Sequence, residues 1–303
     1  MSGEVASGAT EPEDRDAPSV GVVVLSQGTR PAELRSSLQS ILNQTGVRVD
    51  VVCVGNGWRP RDLPQGVRGL ALDRNVGIPA GRNAGVPATA GDYLLFLDDD
   101  ERLASDRFVA DAIELMRRHP DVGMVQPRIV DPTGRAAPRR WVPRLRKGSP
   151  EHSSNVFSVL EGAIVMPRAV FERAGGWAAP FFYAHEGIEL AWRVWDQGLR
   201  VWYAGDLVAE HPAVETTRHA EYYRMNARNR VWLARRNLPA LFIPVYVGTW
   251  TGVQVLRGIR SPRDLRAWFA GWREGWRTDP GERRPIRWLT VWRMTRHGRP
   301  PII

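Results

Sequence analysis

The sequence predicts an α/β fold: a mostly parallel sheet covered by helices on both faces. Three observations carry that expectation. The runs SVGVVVLS, VRVDVVCVG and GDYLLFL are of strand length and almost continuously apolar, as strands buried on both faces are. Between them stand segments with helical spacing. The chain has 303 residues, 43% of them hydrophobic, enough to bury one large core.

The elements follow in order. SVGVVVLS is the first strand, and after Thr29-Arg30-Pro31 the spacing Leu34, Leu38, Ile41, Leu42 is helical, with Pro31 suited to a first turn. VRVDVVCVG and the short GLAL are the next strands. NVGIPAGRNAGVPATA gives a Gly-rich turn and a short helix, and GDYLLFL is the fourth strand. A helix over 106–118 is supported by Phe108, Val109, Ala112, Ile113, Leu115 and Met116, and GMVQPRIV reads as a strand. Residues 131–155 have no period, many prolines and a basic cluster. They form either a functional loop that closes over phosphates or a solvated excursion. HEGIELAWRVWDQG is helical and stops at Gly198, VWYA is a strand, and AEYYRMNARNRVWLARRNL is an amphipathic helix.

The two ends differ in charge. Residues 1–18 hold five acids against Arg15, lack the pattern of a secretory signal and predict a disordered acidic tail. Residues 257–303 hold twelve arginines against four acids, interleaved with Trp268, Trp272, Trp276, Trp288 and Trp292. That composition suits an anionic membrane surface, or helix faces whose tryptophans pack on the main domain; an acidic rim in front suits nucleic acid poorly. Residues 238–256 carry no charge, but Pro239, Pro244, Gly248 and Gly252 favour a buried or interfacial helix over a span. The expected organisation is a sheet domain over 19–237 and a helical extension over 238–303. A single cysteine, Cys53, excludes an internal disulfide and predicts a buried thiol.

In open α/β sheets ligands bind beyond the carboxyl ends of the strands, which places Ser26–Arg30, Gly55–Trp58 and Asp98–Glu101 on one rim. Asp98, Asp99 and Asp100 repel one another unless a cation joins them. Hard oxygen ligands of this kind suit magnesium or manganese, with water and substrate phosphates completing the shell. The alternative is a charged turn leading into the next helix.

The ordered set VGVVVLSQGTRPAELRSSLQSILNQ, VDVVCVGNG, RNVGIPAGRNAG, GDYLLFLDDD, GAIVMPRAVFERAGGW, FFYAHEGIELAWR and Glu210-His211-Pro212 resembles the family 2 glycosyltransferases of the GT-A fold, bacterial rhamnosyl- and galactofuranosyl-type enzymes among them. The resemblance implies a nucleotide-sugar donor (a UDP-, dTDP- or GDP-sugar), a divalent cation (manganese or magnesium) and transfer with inversion. It implies Asp98, Asp100 and His211 at the metal, and Ser26, Asn56, Arg82, Asp98 and Asp99 at the nucleotide. Gly162, Trp177, Trp192 and Arg193 are implied at the acceptor, and Arg228 and Asn229 near the leaving diphosphate. The expected acceptor is a lipid-linked or cell-envelope glycan, and the expected location is the cytoplasmic face of the plasma membrane.

Two departures matter. Where relatives carry an aspartate for the nucleobase, this chain has Gly55-Asn56-Gly57. Where relatives carry Glu-Asp at the start of the helix, with the aspartate as base, this chain has Glu186-Gly187. Glu186 is the expected base, with His185 and Glu189 as alternates. The second reading is a catalytically impaired relative that binds sugar nucleotide or glycan as a scaffold.

Overall fold

The computed structural model describes residues 16–144, 148–213, 219–258 and 261–301. The expected disordered tail therefore lies outside the described residues up to residue 15.

A nine-stranded sheet organises the chain. Its first half comprises β1 (Ser19–Ser26), β2 (Arg48–Asn56), β3 (Val67–Leu72) and β4 (Tyr93–Asp98), all parallel, in the order β3-β2-β1-β4. The register Val22↔Val51 and Val22↔Leu95 puts apolar residues side by side across three strands. Alternate residues of each strand face opposite ways, so every face needs a cover. Helices α1 (Pro31–Leu42) and α3 (Phe108–Arg118) cover one face, closing over Val22, Val24, Val51, Cys53, Leu95 and Leu97. On the other face, Val23, Val52, Val54, Leu94 and Phe96 meet the helices α2 (Ile78–Gly85), α4 (Arg168–Ala174), α5 (Glu186–Asp196) and α6 (Ala220–Asn237). Cys53 is fully buried, and burial together with Asp99 pushes its thiol up to about 12, which leaves it a core residue.

The second half of the sheet is more mixed than its apolar runs suggest. β8 (Ala163–Pro167), too short to stand out as a strand, enters antiparallel between β4 and β6 (Val122–Val130). β6 pairs in parallel with β9 (Arg200–Glu210), and β5 (Arg102–Leu103) and β7 (Ser154–Val156) join β9 antiparallel. β9 is longer than the VWYA run, because after a register shift opposite Pro127/Arg128 it continues to Glu210. Two reversals on either side of β8 leave β6 and β9 running with β4. The carboxyl ends of β1, β2, β4, β6 and β9 therefore share one rim.

The C-terminal helices pack onto this frame. α8 (Pro262–Arg277) lies along α6 so closely that a Cβ on Gly271 would sit 1.8 Å from the Arg224 carbonyl oxygen, and one on Gly275 2.7 Å from Val231. α9 (Trp288–Arg296) is tied to α5 through Asp196, which accepts from Thr290 Oγ1 at 2.6 Å and from the Arg287 N–H at 2.8 Å. Among the tail tryptophans, Trp268 is buried, while Trp288 and Trp292 are more than half exposed. α7 (Phe242–Gly258) buries only Tyr246, Val247 and Gly258. No described helix is long and apolar enough to cross a membrane.

One buried charge cluster joins the two parts. Glu189 of α5 accepts from Arg193 Nε at 3.0 Å and from Arg236 Nη2 at 2.8 Å, and Arg236 Nη1 donates to the Pro280 carbonyl at 2.6 Å. Removing one partner of such a group strands the others without water or counter-charge. Glu189→Gln is therefore expected to cost about 3 kcal/mol of stability, read as a lower denaturation midpoint. A shift near zero would show that the cluster is not what joins α5 to the C-terminal helices.

Candidate active site

The four consecutive acids after β4 diverge rather than crowd. Asp98 faces Arg82, whose Nη2 donates to Asp98 Oδ1 at 2.5 Å. Asp99 turns back under β1, where Ser26 Oγ donates to its Oδ2 at 2.6 Å and Arg30 Nη2 to its Oδ1 at 2.9 Å. Asp100 is ion-paired with Arg30 on one side and lies 3.5 Å from His211 Nε2 on the other. Glu101 folds inward against Gly162, and burial followed by the charges of Asp98 and Asp100 raises its carboxyl well above the usual range. The mutual repulsion is thus relieved by Arg82, by Arg30 and by protonation.

His211 follows β9. Its N–H donates to the Val130 carbonyl at 2.9 Å, and Asp131 holds the next turn by accepting from the Ala213 N–H at 2.5 Å. His211 Nδ1 lies 2.7 Å from the Pro212 carbonyl, which can only accept, so a proton on Nδ1 satisfies that contact and Nε2 is the ring atom directed at Asp100. The edge of Trp141, at 5.5 Å between ring centres, fixes the imidazole plane. Among the described residues no group of three or more His, Cys, Asp or Glu side chains is arranged to hold an ion. Asp98, expected with Asp100 and His211, is turned to Arg82 instead. The donor set that fits a hard cation is thus Asp100 with His211, leaving the remaining positions to phosphate oxygens and water.

Beside this pair opens a cleft of about 340 Å³ lined by Arg82, Asp98, Glu161, Glu186, Tyr183 and Tyr222, with Gly162, His185 and His211 also on its wall. Arg82 is 1% exposed and stacks over Trp177 at 5.0 Å. Burial works against its charge, but Asp98, Glu186 and Glu161 outweigh burial and hold the guanidinium charged. Its Nη1 has no hydrogen-bond partner, a buried donor suited to an anionic oxygen.

The loop before α5 shapes the opposite wall. Phe182, Ala184 and His185 all have positive φ, a costly conformation for side chains of this size. Asn229 compensates: its Nδ2 donates to the carbonyls of Phe181, Tyr183 and Ala184 at 2.9, 2.5 and 3.0 Å, and Arg228 Nη2 adds a bond to Phe181 at 3.0 Å. Arg228 and Asn229, expected near a diphosphate, are thus spent on holding this loop. The loop delivers Glu186, 2% exposed, to the cleft. Burial and then the Glu161 charge push its carboxyl up to about 8 against the pull of Arg82. His185 also lines the cleft, and burial holds its ring well below the ordinary range, hence neutral.

Other expected residues stand elsewhere. Glu189 and Arg193 are locked in the buried cluster with Arg236, because two guanidinium groups compete for one carboxylate there. Trp192 is core, edge-on to Tyr246 at 5.8 Å, and Trp177 is the floor under Arg82. Asn56 is saturated by its own loop: Nδ2 donates to Asn75 Oδ1 at 2.9 Å and Oδ1 accepts from the Val76 N–H at 2.9 Å. Of the basic loop over 131–155, Arg140 reaches the cleft and Arg144 is turned to the Ser149 and His152 carbonyls; residues 145–147 lie outside the described residues. Sequence reasoning missed Glu161, Tyr222 and Asn226, and it placed Arg30 on the rim without its pairing to Asp99 and Asp100. Glu161 gave no signal beyond its place next to Gly162.

Comparisons with known proteins bear on the family and the fold. A model of glycosyl transferase family 2 matches residues 19–175, just over half of the chain. The O-antigen biosynthesis protein RfbC of Myxococcus xanthus is 27% identical over 260 residues, covering 74% of this chain but only 20% of that protein, so the chain spans about one fifth of its relative's length. Among solved structures, GalNAc-T7 with UDP, GalNAc and Mn2+ superposes with a TM-score of 0.62 at 14% identity, over 95% of this chain and 59% of that one. S. aureus TarS 1-349 gives 0.59 at 13% identity, over 84% and 78%. The mannosyltransferase PcManGT from Pyrobaculum calidifontis, in complex with GDP-Man and Mn2+, gives 0.53 at 15% identity, over 96% and 79%. At these identities the structures speak to the fold, which is theirs. The matched segment contains β1 to β8, the acidic run and Glu161, and the chain belongs to glycosyl transferase family 2.

Proposed function

We propose that this protein transfers a sugar, with inversion, from a nucleotide diphosphate sugar to a hydroxyl acceptor, at the rim where β4 and β9 end. The observation that carries the reading is the convergence of Asp100 and His211 Nε2 beside a cleft whose buried Arg82 keeps one donor unused. Relatives in fold are described with UDP, UDP-GlcNAc or GDP-Man, two of them with Mn2+, which supports a nucleotide-sugar donor and a divalent cation here. A cation held by Asp100 and His211 would neutralise the charge that develops on the diphosphate as it leaves. Arg30, ion-paired with both Asp99 and Asp100, keeps the two carboxylates from repelling one another. Arg82 holds Asp98 and offers Nη1 to the donor. Ser26 fixes Asp99 so that the acidic turn keeps its shape.

The acceptor side is the wall formed by Tyr183, Tyr222 and Asn226. Tyr222 and Asn226 also line a neighbouring groove of about 250 Å³ between α6, α7 and α8, with Arg230, Trp250 and Arg257. Aromatic faces alternating with guanidinium groups suit a glycan that carries phosphate, such as a lipid-linked one. Val245 and Leu256 on α7 and Trp288 and Trp292 on α9 are exposed, and Arg257, Arg287 and Arg293 stand next to the last three in the chain. This combination favours attachment to an anionic leaflet, the side on which a lipid-linked acceptor would arrive.

Two outcomes are expected. In a panel of UDP-, dTDP- and GDP-sugars, one donor releases its nucleoside diphosphate in a Mn2+-dependent way, and Asp100→Asn and His211→Ala each lower that rate by ~100-fold or more. Donor binding without any turnover would instead favour the scaffold. In flotation with phosphatidylglycerol vesicles the protein binds and is released by salt, and Trp288→Ala with Trp292→Ala weakens binding. Equal binding to neutral phosphatidylcholine vesicles would remove the electrostatic part of the reading.

A further inference from the structure

An inverting transfer needs a group that removes the acceptor proton, and the start of α5 supplies Glu186 followed by Gly187. The surroundings of that glycine are unusual. A Cβ built on Gly187 would lie 2.3 Å from Glu161 Oε1 and 2.7 Å from both Glu161 Cδ and the Val159 carbonyl oxygen. The volume in which a side chain at 187 would project is therefore already filled by a carboxylate from another part of the chain, the turn that leads into β8. The Gly187 N–H donates to Glu161 Oε1 at 2.8 Å, so the absence of a side chain at 187 is what lets Glu161 reach the helix terminus.

Four carboxylates line the cleft, and their surroundings separate them. Asp98 is bound to Arg82. Glu101 is 1% exposed and packed against Gly162. Glu186 is 2% exposed, with one oxygen lacking any partner. Glu161 alone of the four combines partial exposure to the cleft with a backbone N–H donor at the first turn of an 11-residue helix, an arrangement that favours a carboxylate anion. We infer that Glu161 is the catalytic base, standing in from the β8 turn for the side chain that position 187 lacks.

This assignment rests on the sugar-transfer reading above. Glu161 takes the proton of the acceptor hydroxyl as that oxygen's electron pair forms the bond to the sugar's anomeric carbon. The bond from that carbon to the diphosphate breaks, its electron pair leaves on the nucleoside diphosphate, and the proton then passes from Glu161 to water. Glu186 complements the base. Burial raises both carboxyls, that of Glu161 against the pull of Arg82 and of the Gly187 N–H, and that of Glu186 up to about 8 with the Glu161 charge adding to it; Glu161 is the one of the two that has a backbone donor to its anion from the start of α5.

The test uses the full chain, Mn2+ and the UDP-, dTDP- and GDP-sugar panel, with water or a membrane-lipid extract as acceptor. Glu161→Gln keeps a carbonyl for the Gly187 N–H, and is expected to lose about 1000-fold in nucleoside diphosphate release while calorimetry with the nucleoside diphosphate and Mn2+ shows unchanged binding. Glu186→Gln, close in shape to the protonated acid, is expected to lose about tenfold or less. Turnover by Glu161→Gln within about tenfold of the unmodified protein, or a larger loss in Glu186→Gln, overturns the assignment and leaves the sugar-transfer reading standing. An unmodified protein that neither binds nor turns over any donor of the panel overturns both.

Discussion

A single buried guanidinium sets the terms for everything at this rim. Arg82 projects from a short Gly-rich helix into a wall that also carries Asp98, Glu161 and Glu186, and it rests on the face of Trp177. One cation cannot neutralise three carboxylates in a site poor in water, so the acids are forced into different protonation states. Asp98 takes the direct contact, and Glu186, the most deeply buried of the three, retains its proton into the neutral range. Without Arg82 the three acids would face one another with no counter-charge. With it, the cleft holds fixed charges whose positions precede any ligand, which is the form of preorganisation that stabilises charge developing in a reaction.

The same economy governs the acidic run. Four successive negative residues are tolerated because the turn after β4 sends each to a different partner: Arg82, Ser26 with Arg30, His211, and the buried space beside Gly162. Arg30 occupies the ground between Asp99 and Asp100 that a divalent ion would contest.

The C-terminal helices shape the site indirectly. α8 presses α6 through Gly271 and Gly275, and α6 in turn carries Asn229, whose amide gathers three carbonyls of the strained loop over 181–184. The Glu189–Arg193–Arg236 cluster anchors the other end of α5 to the chain entering α9. Helices that look dispensable in sequence are thus what hold Tyr183, His185 and Glu186 against the cleft. Their outer face, with exposed tryptophans and arginines, is left over for a surface contact.

The division between sequence and structure follows from the range of the forces involved. Local pattern determined the parallel half of the sheet, the helices α1, α3, α5 and α6 and the placing of the acidic turn at a strand end, because apolar periodicity and strand polarity act between neighbours in the chain. The family, too, was legible in the order of short motifs. What local pattern misjudged was everything decided by pairing across long separations. β8 is five residues whose antiparallel insertion is fixed only by β4 and β6. Trp177, Trp192, Glu189 and Arg193 carry site-like chemistry, yet packing buried them in the frame. Glu161 and the residue it stands in for are 26 positions apart along the chain. No spacing rule links them, and only the folded backbone, by bringing the β8 turn against the first N–H groups of α5, put a carboxylate into the space that a glycine left open.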